Sequence, residues 1–207
     1  MRRNLAGLAG VALALAALGC PAASHAAAED DAILVAEYLA RGDAHWRQKR
    51  YQEALDSYRE AEKMKPNEPR VLYAVGSAHR VLGNYREALR NFGRVLELAP
   101  NDPRNGRVYG QVGYIHRQAG NYATAIEAYQ SALKLEPEEW RTLWYLADLH
   151  YKTKAYDLCK QYVVKFKQTL AAHDPSLFSV QEWQDMRRWG NRLDQYLRSI
   201  EQGDAPR

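Results

Sequence analysis

Four histidines recur along the chain. His45, His79, His116 and His150 are spaced by 34, 37 and 34 residues. Imidazoles in register suggest a metal ladder, or groups that charge together near neutral pH. The spacing speaks against the metal. Equivalent residues of stacked helical units stand roughly 10 Å apart, because helices pack at roughly 8–10 Å. Zinc gathers its ligands at about 2 Å from one ion. The histidines therefore read as flat amphipathic rings at a core boundary, and no metal site is expected.

Covalent and cofactor chemistry has little to work with. The chain carries no phosphate-binding P-loop pattern, no dinucleotide-binding glycine fingerprint, no HExxH, no CxxC and no G-x-S-x-G. Only two cysteines occur, Cys20 and Cys159. The acidic residues fall mostly on solvent-side helix positions, where they aid solubility. These residues imply no enzyme and no cofactor.

The elements that position the histidines repeat with the same period. Tyr51, Tyr85, Tyr122 and Tyr156 align with one another. Three residues after each stands Ala54, Ala88, Ala125 or Cys159, and four further on Tyr58, Phe92, Tyr129 or Val163. Nine residues before each stands Gly42, Gly76, Gly113 or Ala147. Pro66, Pro100 and Pro137 close three of the units, since proline cannot continue a helical hydrogen-bond ladder. Small residues at matched places let two helices approach closely, and the larger ones fill the space beside them. Cys159 is thereby a small core residue.

This pattern resembles the tetratricopeptide-repeat (TPR) family over about residues 35–173, in units 35–68, 69–102, 106–139 and 140–173. The resemblance implies an all-α fold: a right-handed superhelical solenoid of about four helix-turn-helix repeats plus a C-terminal capping helix. Each unit would be an A helix followed by an antiparallel B helix. Three departures stand out. Arg41 replaces the usual leucine and leaves the first A helix part-exposed. Pro103-Arg104-Asn105 is an insertion that lengthens a turn. The fourth unit lacks the closing proline and carries Phe166 at a normally small position, so its B helix runs on toward Leu170.

In the family the A helices line a concave groove. Its groove positions fall in the second unit on Arg70, Tyr73, Ser77 and Arg80. They fall in the third on Arg107, Gln111, Tyr114 and Arg117, and in the fourth on Arg141, Trp144, Tyr145, Asp148 and Tyr151. The first unit offers Leu39, Asp43, Trp46 and Arg47. Arginine recurs at the second position of three units. Arginine and aromatic rings dominate binding hot spots, and the guanidinium fork grips carboxylates in two places. The resemblance thus implies a protein-binding scaffold whose partner is another protein or a peptide segment, acidic or ending in a free carboxylate. The lysine/asparagine clamp of the chaperone-tail-binding members is absent.

Residues 174–201 read as the cap that a stack of repeats needs at its end. Ser179 and Glu182 have capping-box spacing. Trp183, Met186, Leu193, Tyr196 or Leu197, and Ile200 recur at helical spacing, with Trp189 toward the less apolar side. Residues 202–207 form a flexible tail.

The first 26 residues read as a secretory signal peptide, with residues 27–34 a lead-in to the repeats. Arg2 and Arg3 precede an apolar run from Leu5 to Gly19, and Ser24-His25-Ala26 offers a cleavage site. The run is shorter than the roughly 20 residues that span a bilayer. Ala17-Leu18-Gly19-Cys20 gives a second reading, a lipid anchor at Cys20. Leaving out Arg2 and Arg3 from the 29 basic residues, the remainder nearly balances the 25 acidic ones. That balance excludes a nucleic-acid partner. The expected place is the periplasm or outside the cell, or the outer membrane if Cys20 is lipidated. Competing functions are a lipoprotein that assists assembly of a pilus or secretion system, and a module that binds cell-wall glycan or stem peptide.

Overall fold

The structure is a computed structural model that describes residues 21–174, 176 and 178–205, with side chains from residue 31 onward. Most of the expected signal peptide, and Cys20, lie outside the described residues. Among the described residues there are nine α-helices and no strand. No helix among them is long and apolar enough to cross a membrane. The chain divides into two compact units, one ending at Asn84 and the other beginning at Tyr85.

The first unit holds α1 (Pro21–Arg47), α2 (Tyr51–Met64) and α3 (Pro69–Val81). Pro69 opens its helix where a missing N–H costs nothing. Residues 27–34 are helical, continuous with the first A helix. Val35, Leu39, Ala54, Leu55, Tyr58, Ala61, Val71, Val75 and Ala78 form one core. Gly42 is buried because the Tyr58 ring lies where its Cβ would stand. Arg41 is exposed and reaches back to the Ser57 hydroxyl at 3.3 Å.

The second unit holds α4 (Tyr85–Leu98), α5 (Asn105–Gln118), α6 (Tyr122–Leu135), α7 (Trp140–Lys152), α8 (Tyr156–Ala172) and α9 (Val180–Glu201). Helices α2, α4, α6 and α8 each begin on an aligned tyrosine. The small residues Ala54, Ala88, Ala125 and Cys159 are all fully buried. The insertion does more than lengthen a turn. Asn105 already belongs to α5, and its buried amide donates to the Ala99 carbonyl at 2.6 Å, serving the end of α4. Helix α8 runs 17 residues, to Ala172, with Phe166 fully buried.

One turn closes all four A helices. The amides of Arg50, Asn84, Asn121 and Ala155 donate to the carbonyls of His45, His79, His116 and His150. Inside each loop a second bond runs from Lys49 to Trp46, Gly83 to Arg80, Gly120 to Arg117 and Lys154 to Tyr151. The donors of that second bond have φ of 59°, 81°, 78° and 63°. This is the Schellman closure, which satisfies the last carbonyls of a helix with one left-handed residue. Glycine enters that region without a Cβ penalty, and lysine does not. The histidine period is thus also a backbone period.

Candidate functional site

Helix α7 gathers the richest set of polar and aromatic side chains. Glu139 caps it by accepting from the Thr142 amide at 2.6 Å. Nine of its thirteen residues are buried. Leu143, Leu146, Ala147 and Leu149 are apolar core. Arg141, Trp144 and Tyr145, Asp148, and Tyr151 follow one another at helical spacing along another side.

That side is covered by α9. The Trp189 ring sits 5.1 Å from Trp140, 4.6 Å from Trp144 and 5.8 Å from Tyr145. Tyr151 stacks on Tyr196 at 3.9 Å, and its hydroxyl lies 3.0 Å from that of Ser199. Arg141 donates to Glu182 at 3.0 Å and lies over the Trp140 ring. The reciprocal capping box between Ser179 and Glu182 is formed. It holds the Glu182 carboxyl below its usual range, with Arg141 adding to the effect.

Asp148 is the centre of the network and is fully buried. The Tyr196 hydroxyl donates to its Oδ1 at 2.7 Å. Its Oδ2 lies 2.9 Å from Lys152 Nζ and 3.6 Å from Arg117 Nη2. A buried carboxylate is tolerated when paired in this way. Burial, and then the bond to Asp148, pushes the Tyr196 hydroxyl up to about 12. Arg117 lies 4.9 Å over the Tyr145 ring, which stacks on Tyr129 at 5.1 Å and meets Tyr114 edge-on at 6.5 Å. Burial raises the Tyr145 hydroxyl above its usual range.

The other expected positions divide by unit. In the first, Arg70, Tyr73, Ser77 and Arg80 share one side of α3, with Arg70 exposed and the rest half-buried. Leu39 is core, not surface. Asp43 accepts the Tyr58 hydroxyl at 2.7 Å, Trp46 packs edge-on to Tyr51, and Arg47 donates to the Asp43 carbonyl. In the second unit, Arg107 is exposed on α5, with Gln111, Tyr114 and Arg117 half-buried along the same side. Trp144 and Asp148 are not open to an outside ligand, because α9 fills the space before them. Trp189 does not face away from the repeats but lies at the middle of this contact. The signal that finds it is a seven-residue spacing, Glu182, Trp189 and Tyr196, which an apolar count passes over.

The histidines and the cysteine take structural places. His79 and His150 are buried, His45 and His116 half-buried. Among the described residues no three His, Cys, Asp or Glu side chains converge as metal ligands. Cys159 is a buried free thiol pushed up to about 11, first by burial and then by nearby Asp148. A thiol so protonated is a poor nucleophile.

Paired helices on a 34-residue theme, with every A helix closed by one turn type, define a repeat-built helical fold. The chain belongs to the tetratricopeptide-repeat family, whose models match residues 35–68, 68–138 and 116–164. No curated protein sequence matches it. Among solved structures it is similar to PilW, a widely conserved type IV pilus biogenesis factor (TM-score 0.68, 17% identity, 87% of this chain and 78% of that one). It is also similar to Pseudomonas aeruginosa pilF (0.64, 20%, 94% and 90%). A third similar structure is MamA (0.62, 19%, 72% and 85%). At these identities the likeness is one of fold.

Proposed function

We propose that the protein is a non-catalytic scaffold of the bacterial cell envelope that holds a partner segment against its A helices. The observation that carries this is the side of α5, where exposed Arg107 is followed by Gln111, Tyr114 and Arg117 beside the Tyr145 ring. Helix α3 offers a similar series from Arg70 to Arg80. Guanidinium groups with aromatic neighbours suit an acidic segment or a free C-terminal carboxylate. A second reading, help in assembling an envelope machine such as a pilus or secretion system, is supported by the fold likeness to PilW. Export by the leader at residues 1–26, or anchoring at Cys20, supplies the location in either case.

The test is a crosslinked pull-down from native envelope with wild-type protein and with Arg70→Ala/Arg107→Ala. Arg141 is left intact because it is engaged by Glu182. One protein enriched by the wild type and lost with the variant supports the scaffold. Identical enrichment by both removes these arginines from the binding site. Enrichment of no protein by either turns the reading toward wall fragments, tested directly by binding of glycan and stem peptide.

A further inference from the structure

Glu182, Trp189 and Tyr196 stand seven residues apart in α9, and Met186, Leu193 and Ile200 interleave with them at the same interval. Two such series make the seam of a helix that packs on other helices. Each residue of the first series meets α7. Glu182 meets Arg141 at 3.0 Å, Trp189 enters the Trp140–Trp144–Tyr145 rings, and Tyr196 bonds Asp148 at 2.7 Å. We propose that α9 is an internal ligand of the α7 face. In its place that face accepts an amphipathic helix presenting an acid, an indole and a phenol at seven-residue intervals.

Two features make α9 displaceable. Only Met186 and Leu193 of its 22 residues are buried, against nine of thirteen in α7. Its tie to Arg141 is exposed, and so is its ion pair from Asp194 to Lys167. Elements with few buried side chains and exposed bonds open before the rest of a fold. An uncovered α7 would present aromatic rings with one carboxylate and one guanidinium between them, a surface suited to a helix laid in a groove. The acid of the incoming helix replaces Glu182, its indole Trp189 and its phenol Tyr196.

This rests on the reading of the A helices as binding surfaces and names the partner class for one of them. Its test involves neither envelope partners nor Arg70 and Arg107, so either idea can fail alone. A fluorescein-labelled peptide of residues 179–203 is titrated into the full chain and into Glu182→Gln/Tyr196→Phe, followed by fluorescence anisotropy. Glutamine keeps the capping box. The variant should bind the peptide about tenfold more tightly than the wild type, because apparent affinity scales with the open fraction. Tyr196→Phe alone, which removes one hydroxyl and leaves the ring stacked, should move affinity the same way by less. A peptide carrying Trp189→Ala should bind none of the three proteins. Equal affinity for wild type and variants, no binding to any, or full binding of the Trp189→Ala peptide overturns the proposal.

Discussion

Burial of the His150 imidazole, which stacks on Tyr162 at 5.3 Å, holds it below its ordinary range. Asp148 and Lys152 stand within two residues of it on the same helix. The unfolded chain takes up a proton there near pH ~6.5, and the folded chain resists it. Stability is therefore full above about pH 6.5 and declines as pH falls below it, because the unfolded state binds more protons. His150→Phe keeps a flat ring in place and should flatten that decline. Urea midpoints from about pH 7.5 to about pH 5 measure it, and equal slopes in both proteins would refute it. Asp148 carries the opposite risk. Asp148→Asn leaves Lys152 and Arg117 without their anion and should cost about 1–3 kcal/mol. A loss near zero would mean the network contributes little.

Turns and caps decide matters at the scale of the element. Gly120→Ala forces a Cβ into the left-handed region and should destabilise by about 1 kcal/mol, while Lys154→Gly should stabilise by up to about that amount. Opposite shifts in melting temperature are the expected result, and shifts of one sign would contradict it. The capping box of α9 gives a local test. Ser179→Ala should cost about 1 kcal/mol and speed amide exchange in α9 while sparing α6 and α7. Uniform faster exchange would show that α9 opens only with the whole unit. These features were written in the residues: Gly-Asn after two A helices, Ser179 three before Glu182. The inserted Asn105 was not so clear, because its worth lies in a carbonyl six residues back that only the folded turn brings near.

For the whole molecule, the repeat was legible from the period of one tyrosine and three small or large companions, since local packing sets it. What lay against α7 was not. Motif positions place Trp144 and Asp148 on a ligand face, but they do not say that the same chain supplies the ligand. Hydrophobic spacing in α9 favoured Trp183, while the contact is organised by an acid, an indole and a phenol. Charge on exposed surfaces carries little stability, so Arg70→Ala/Arg107→Ala should stay within about 0.5 kcal/mol of the wild type in urea unfolding. A larger loss would assign those arginines to the fold rather than to a partner.

Gly113 faces the Tyr129 ring so closely that a methyl would stand 2.8 Å from it, whereas Ala147 shares its cluster with the smaller Val163. In these two hairpins, and in the first, where the Tyr58 ring meets Gly42, the A helix is cut to the volume of its own B helix. The fourth hairpin can be duplicated or moved during evolution only as an intact pair, for joining its A helix to the B helix of the first or third would bring an alanine against a tyrosine. Engineers who lengthen this protein inherit the same rule, and should splice between hairpins.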